Sequence, residues 1–344
     1  MAGSAASKPG VLMLGIVHHA TAEFEKLSEV AEVQQVKSGT REEFIRDCDS
    51  GKYAKVVAIS RTYDSVQITG RFDAELVSHL PPSVRFISHN GAGYDQIDVQ
   101  PCTERNISVS NTPKAVDAAT ANTAIFLMLG ALRRAWIPQQ AVRAGEWRGA
   151  SPLGRDPHKL TLGILGMGGI GTATAQRAAA LGFKLQYHNR KPVADLEKQF
   201  VTGQVPNYVS FEELLKTSDV ISVHLPLGPA TQGLIGAREF SQMRDKVVIV
   251  NTARGAIIDE NALSDSLESG KVWSVGLDVY EKEPEINPRL IKHPGAILLP
   301  HIGTATVDTQ KEMEILVIEN VKSAVTQGKL LTQVSEQKPT MAKV

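Results

Sequence analysis

The chain of 344 residues has no excess charge of either sign: 37 Lys and Arg balance 37 Asp and Glu. A neutral chain has no field to draw it to nucleic acid or to an anionic membrane, so neither is expected as a partner. No uninterrupted apolar stretch approaches the roughly 20 residues that a membrane-spanning helix needs. Residues 1–10 lack the apolar core of a secretion signal and read as a loose leader. The C-terminal Ala-Lys-Val matches no receptor-read address. Only two cysteines are present, Cys48 and Cys102, without CxxC spacing. That excludes a disulfide framework and suggests reduced thiols in a cytoplasmic protein. His18 and His19 are adjacent but have no further ligands in pattern, so they read as surface residues and no metal is expected.

What is present centres on residues 159–191. Leu160 to Leu165 is a short apolar, β-prone run, as a buried parallel strand should be. Gly166-Met-Gly168-Gly169-Ile170-Gly171 follows, then helical sequence from Thr172 to Leu181 and a second strand from Lys184 to Asn189. A strand, a GxGxxG turn, a helix and a second strand of this size form a dinucleotide-binding unit. Gly166 makes the tight turn, Gly168 lets the backbone approach the pyrophosphate, and Gly171 lets helix and strand pack closely. Gly169 and Ile170, between those glycines, are counted with them as cofactor-binding residues, and the helix that follows points its N–H groups and positive dipole end at the phosphates.

A second absence bears on which dinucleotide binds. An NAD site expects Asp or Glu roughly 20 residues after the glycines, accepting from the ribose hydroxyls. This chain has Asn189, then Arg190 and Lys191. A carboxylate would repel a 2′-phosphate, whereas an amide followed by two cations welcomes one. The expected cofactor is NADPH/NADP+, with NADH accepted more weakly. The plainer alternative is a solvated Arg-Lys pair at a strand end.

At this length two domains are the natural expectation. Residues 11–112 alternate strands (Val11–Ile16, Val33–Val36, Val56–Ser60, Phe86–Ser88, Ser108–Ser110) with helices (Glu23–Val30, Arg41–Cys48, Ala74–Leu80, Val99–Arg105), making a small parallel α/β unit without its own phosphate loop. A long helix from Ala115 to Ala135 carries the apolar run Ala124–Leu129 and reads as a buried inter-domain helix. Pro138 to His158 reads as an irregular arm. Alternation resumes from 160 to 301, with strands at Tyr208–Ser210, Val220–Leu225, Val247–Thr252, Ser274–Val279 and Ile297–Leu299. Helices are expected there at Phe211–Thr217, Arg238–Met243 and Glu260–Ser269. A last helix spans Ala305 to Gln327, and the polar tail from Gln333 reads as loose.

Three segments stand beyond strand ends, where a doubly wound sheet puts its ligand groups. They are Asn251-Thr-Ala-Arg254-Gly255, Asp278-Val-Tyr-Glu281-Lys-Glu283-Pro284 and Pro300-His301-Ile-Gly303-Thr304. Arg clamps a carboxylate with its planar fork, and His is the proton donor suited to neutral pH, so an Arg, acid and His set suits a keto-acid reductase. Taken singly, Arg254 could cap a strand end, Glu283 could be a surface acid and His301 a satisfied loop histidine.

Over nearly its whole length the chain resembles the D-2-hydroxyacid dehydrogenase family. The match runs through Asn90 to Asp98, Asn111-Thr-Pro113, Gly163 to Gly171, Val223 to Leu227, Asn251 to Gly255, Gly276 to Pro284 and Pro300 to Gly303. Arg254 and Glu283 lie 29 residues apart, and Glu283 and His301 18, the family's spacing. Gly-Met-Gly-Gly-Ile-Gly and Tyr-His-Asn-Arg-Lys look most like its glyoxylate/hydroxypyruvate reductase branch. The resemblance implies two doubly wound parallel-sheet α/β domains, a Rossmann-type cofactor domain (113–301) inserted into a smaller flavodoxin-like substrate domain (1–112), with 302–344 returning to the latter. It implies that Arg254 holds substrate carboxylate and carbonyl, His301 is the acid/base, and Glu283 rather than Glu281 holds the imidazole. It further implies that Ala92 and Gly93 amides bind the carboxylate and that Asp278 faces the nicotinamide amide. Thr252, Ala253, Thr120, Leu225 and Gly303 would line the cofactor.

The expected activity is NADPH-preferring reduction of short 2-keto acids to D-2-hydroxy acids. Bulkier keto acids (D-mandelate or D-hydroxyisocaproate type), or an NAD(H)-sensing corepressor-like role, are the alternatives. Arg61, Thr62 and the Trp-bearing arm are expected to set pocket size. The long helix and the arm are expected to build a homodimer, in which Trp147 either reaches the partner's pocket or merely packs.

Overall fold

The structure, a computed structural model, describes residues 8–200 and 204–338. Most of the leader therefore lies outside the described residues, and its last residue, Gly10, already opens the first strand. The chain forms two compact units. One is built from residues up to Val116 and again from Thr306, the other from Asp117–Ala305.

In the first unit β1 (Gly10–Leu14), β2 (Glu32–Val36), β3 (Val56–Arg61), β4 (Phe86–His89) and β5 (Ser108–Ser110) make an all-parallel sheet of order β2-β1-β3-β4-β5. This is the flavodoxin-like order. Successive side chains of a strand point to opposite faces, so neighbouring residues feed two cores. Leu12, Ile59 and Ile87 pack with Phe44 and Leu76 on one face. Val11 and Ala58 pack with Ile318, Val321 and Ala324 of the helix Val307–Gln327 on the other.

In the second unit β6 (Thr161–Leu165), β7 (Lys184–His188), β8 (Asn207–Tyr208), β9 (Val220–Val223), β10 (Val247–Asn251), β11 (Val272–Leu277) and β12 (Ala296–Leu298) form a parallel sheet of order β12-β11-β10-β9-β6-β7-β8. Counted from β6 this is the Rossmann arrangement, and the order reverses between β9 and β6. The central strands β9 and β10 are buried at every residue, as a sheet covered on both faces requires. Ala124, Leu127, Met128 and Ala131 of the helix Asp117–Arg133 share a core with Leu162, Ile164, Val248 and Val250. Gly276 makes that approach possible: a Cβ there would lie 2.8 Å from the Leu127 Cβ.

The structure differs from the sequence reading at several places. The helix read as Glu23–Val30 splits into Thr21–Glu25 and a 3-10 turn, Lys26–Glu29. The arm is not irregular throughout, because Trp136–Arg143 is helical. Pro138 falls in its first turn, where proline is tolerated. A short helix, Pro288–Lys292, was missed although Asn287 caps it and Pro288 opens it. The tail from Gln333 is not loose as far as it is described. β5 is an edge strand, and Val334 donates its N–H to the Val109 carbonyl (2.9 Å) while burying its side chain in the first core. Gln337 adds bonds to the Val109 N–H (2.7 Å) and the Ile107 carbonyl (2.8 Å). Residues 339–344 lie outside the described residues.

Candidate active site

The turn after β6 has the geometry its glycines suggest. Gly166 has φ +103, and a Cβ on it would press against the His224 carbonyl 2.8 Å away. That backbone conformation and that close approach both need glycine. Around Gly168 a Cβ would meet nothing, which leaves the backbone open to a ligand. Gly171 sits so close to the Gly166 carbonyl oxygen that any side chain would overlap it. The helix begins at Gly169, not Thr172, so the amides of Gly169 and Ile170 belong to its exposed first turn. Leu225 flanks the turn, its Cδ2 3.1 Å from the place of a Gly166 Cβ.

Asn189, just past β7, folds back on this turn: its Oδ1 accepts the Met167 N–H at 2.7 Å. The side chain thereby holds the loop, a role that its place in the sequence did not disclose. Tyr208 donates its hydroxyl to the Asn189 carbonyl (3.1 Å). Arg190 and Lys191 are exposed.

Along the same sheet edge, the loops after β10, β11 and β12 carry the other candidate groups. Asn251 bridges its own loop, donating to the Arg254 carbonyl (2.9 Å) and accepting the Ala253 N–H (2.9 Å). Gly255 is pressed against the Tyr280 backbone so closely that a Cβ would overlap it, which packs the Arg254 loop onto the Glu283 loop. His301 Nδ1 lies 2.7 Å from Glu283 Oε2, and Glu283 Oε1 accepts the Tyr280 N–H at 2.9 Å. Burial pushes the Glu283 carboxyl up. The His301 bond, the Tyr280 amide and the nearby charges of His301 and Arg254 outweigh it and hold the group below its ordinary value.

His301 adopts φ 55, a left-handed conformation that costs a side chain on the order of 1–3 kcal/mol. Asp278 sustains it. The His301 N–H donates to the Asp278 carbonyl (2.8 Å), and the Asp278 carboxylate accepts the Ile302 (2.7 Å) and Gly303 (2.8 Å) amides. Burial raises the Asp278 pKa, and those two amides oppose the rise. Thr120 stands beside Gly303, its Cγ2 3.4 Å from the place of a Gly303 Cβ. Thr252 is buried, and its hydroxyl has no hydrogen-bond partner among the described residues. The open Gly168 backbone and this orphaned hydroxyl fit a nicotinamide dinucleotide: the glycine turn for the phosphates, Thr252 for a polar group of the ligand.

Glu260 was not singled out from the sequence, yet it anchors the Glu283 loop. It is buried at the start of its helix and accepts the Glu281 N–H at 2.7 Å. An acid in the first turn of a helix is ordinary, so the sequence held no signal for it. His224 is half-buried, its Nε2 2.8 Å from Ser222 Oγ, and desolvation lowers its pKa to about 3.

In the first unit Ala92 and Gly93 lie on a loop in which three successive carbonyls are engaged. The Gly91 carbonyl accepts from the Thr112 N–H (3.0 Å), that of Ala92 from Asn111 Nδ2 (2.7 Å), and that of Gly93 pairs with His89 Nε2 (3.1 Å). The amides of Ala92 and Gly93 have no partner among the described residues. Arg61, expected to shape a pocket, is instead wholly buried and bonded to Ser65 and Gln96. His18 and His19 are exposed, as surface residues should be, and their N–H groups, with that of Ala20, bind the buried Glu314 carboxylate at 2.7–2.9 Å. Cys48 and Cys102 are free, buried thiols, pushed up to about 12 chiefly by that burial.

A glycine cradle beside the sheet's switch point, with an imidazole–carboxylate pair at neighbouring strand ends, defines a dinucleotide-dependent oxidoreductase. Residues 125–303 match the family described as D-isomer specific 2-hydroxyacid dehydrogenase, NAD binding domain. The chain is 54% identical over 331 residues to 4-methyl-2-oxopentanoate reductase A of Aspergillus oryzae, covering 96% of this chain and 99% of the relative. A glyoxylate reductase structure from Paecilomyes thermophila superposes with a TM-score of 0.93 at 54% identity, over 96% of this chain and 99% of that one. An NADPH-dependent glyoxylate/hydroxypyruvate reductase from Sinorhizobium meliloti, in complex with NADP and malonate, gives a TM-score of 0.83 at 30% identity, over 98% and 100% of the two chains. The protein belongs to the D-isomer specific 2-hydroxyacid dehydrogenase family.

Proposed function

We propose that the protein is an NADPH-preferring reductase of short 2-oxo acids, of the glyoxylate and hydroxypyruvate kind, giving D-2-hydroxy acids. The observation that carries this reading is the His301–Glu283 pair, 2.7 Å apart, in a unit that also holds the dinucleotide turn and Arg254. When bound, the dihydronicotinamide supplies hydride to the ketone carbon. With Nδ1 turned to Glu283, Nε2 of protonated His301 is the nitrogen that delivers the proton to the forming alkoxide, leaving a neutral imidazole. Arg254 holds carboxylate and carbonyl with its planar fork and favours the developing negative charge on oxygen. The unpartnered Ala92 and Gly93 amides take the substrate carboxylate. Thr252, Ala253, Thr120, Leu225, Asp278 and Gly303 line the cofactor.

Asn189, Arg190 and Lys191 support NADPH over NADH, since no carboxylate stands there to repel a 2′-phosphate. We place the reaction in the cytoplasm, and no helix among the described residues is long and apolar enough to cross a membrane. A homodimer is supported by the large apolar side chains left exposed on the long helix and arm: Phe126, Trp136, Val142, Trp147 and Leu153.

One observation favours a second reading. Identity to a 4-methyl-2-oxopentanoate reductase equals that to a glyoxylate reductase, 54% in each case, so a bulkier, branched 2-oxo acid is the alternative substrate. The test is nicotinamide absorbance with glyoxylate, hydroxypyruvate, 4-methyl-2-oxopentanoate and phenylglyoxylate, each with NADPH and NADH. Highest kcat/KM for glyoxylate or hydroxypyruvate with NADPH is expected. A higher value for 4-methyl-2-oxopentanoate or phenylglyoxylate would replace it by the second reading, and no turnover with any of them would refute both.

A further inference from the structure

Arg61 ends the central strand β3 and is 0% exposed. Its Nε donates to Ser65 Oγ (3.2 Å) and its Nη2 to Gln96 Oε1 (2.6 Å), while the guanidinium lies 5.1 Å from the centre of the Phe72 ring. Nη1 is buried without a hydrogen-bond partner among the described residues. Burial lowers the Arg61 pKa to about 10, against the nearby Tyr63 and Asp95, which raise it. Enclosing a cation costs several kcal/mol, and apolar replacements of buried charges are often neutral or stabilising. With one donor left unsatisfied, stability is a poor account of an arginine here.

What the residue touches suggests another. The Arg61 carbonyl accepts the Asn90 N–H at 2.9 Å, and the guanidinium reaches Gln96. One residue therefore grips the loop at its first and last positions, and Ala92 and Gly93 lie within that span. Gln96 is fastened from a second side, its carbonyl accepting the Phe72 N–H at 2.9 Å.

We propose that Arg61 is a positioning residue that clasps both ends of the loop 90–96, so that the Ala92 and Gly93 amides are presented in one fixed direction. Its consequence for catalysis rests on the reading that these amides hold the substrate carboxylate. A loop carrying two donors gains little from bonds that wander. Displacement by about 1 Å of a group that positions substrate costs on the order of a hundredfold in rate.

The test uses Gln96→Leu, Arg61→Met and the double variant in the full-length protein. Amide hydrogen exchange at Phe72 and Ile97, the Michaelis constant for glyoxylate with NADPH, and NADPH affinity by nicotinamide fluorescence are measured for each. Each single variant is expected to lose protection at Phe72 and Ile97, whose N–H groups bond the carbonyls of Gln96 and Tyr94, and to raise the Michaelis constant about tenfold to a hundredfold, with NADPH affinity unchanged. The double variant should be no worse than the poorer single one, because both break the same clasp. A merely structural Arg61 would instead lower thermal stability and NADPH affinity together. That result, additive losses, or unchanged exchange at Phe72 and Ile97 would overturn the proposal. Should Arg61→Met fail to fold, Gln96→Leu alone decides by the same criteria. A wild type that turns over no 2-oxo acid would refute the functional reading instead. Exchange then judges the clasp, upheld by lost protection and overturned by none.

Discussion

The choice of dinucleotide can be tested by a nearly isosteric substitution. Asn189 spends Oδ1 on the Met167 N–H of the glycine turn (2.7 Å), and its Nδ2 has no partner among the described residues. Asn189→Asp keeps an oxygen for Met167, so the turn should hold its shape. It exchanges the outward donor for an acceptor with negative charge, able to take a ribose hydroxyl and hostile to a 2′-phosphate. Arg190 and Lys191 are exposed and make no ion pair among the described residues, so either can meet a phosphate without breaking an existing bond. A charge-assisted hydrogen bond is worth about 1.5–3 kcal/mol, and each 1.36 kcal/mol is about a factor of ten. Exposure and salt screening place Arg190 towards the low end of that range. Arg190→Ala should therefore reduce the NADPH advantage by about tenfold, and the pair Asn189→Asp with Arg190→Ala should carry the preference towards NADH. The assay is the ratio of kcat/KM for NADPH and NADH, wild type against variants, at two ionic strengths. The wild-type preference should shrink as salt rises. A wild type preferring NADH would refute the reasoning, and an unmoved ratio in the double variant would transfer selection to other groups.

His301→Ala should lower turnover by about 10² to 10⁴ while NADPH still binds; activity close to wild type would remove His301 from the reaction. Arg254→Lys keeps the charge but loses the planar fork, so the Michaelis constant for the 2-oxo acid should rise sharply, and unchanged kinetics would make Arg254 structural. The Glu283 carboxyl is held below its ordinary value in the folded protein. Its contribution to stability is therefore complete above the unfolded value of about 4.3 and fades as pH falls through the lower folded value. Glu283→Gln should flatten the acid limb of the unfolding curve, and a limb that is unaltered in urea titrations would contradict the shift. Trp147→Ser with Phe126→Ser should weaken the proposed dimer in light scattering, and a wild type that is monomeric at micromolar concentration would dispose of it.

Much of this protein is written in local pattern. The alternation of short apolar strands with amphipathic helices depends on periods of about two and 3.6 residues, and those are visible in any window. Phe211–Thr217 and Ser108–Ser110 have the same bounds in sequence reading and structure. The glycine turn was equally legible, because φ +103 at Gly166 and the contact at Gly171 are demands that only glycine meets. Arg254, Glu283 and His301 were recognisable as candidates because loops after parallel strands gather on one edge of the sheet.

The tertiary structure decided what depends on partners distant in sequence. Nothing around Gln333 signals that Val334 will dock on β5, since the free strand edge it meets is made by Val109, far back in the chain. Asn189 reads as a missing acid, and only the return of β7 beside β6 turns its side chain into the bond that holds Met167. Arg61 shows the same limit. An arginine at a strand end reads as exposed or lining a pocket, whereas the loop that closes over β3 and β4 buries it against Gln96 and Phe72. Propensity and pattern act through neighbours along the chain. Burial and hydrogen-bond partnership are set by neighbours in space, and for these residues the latter decided the role.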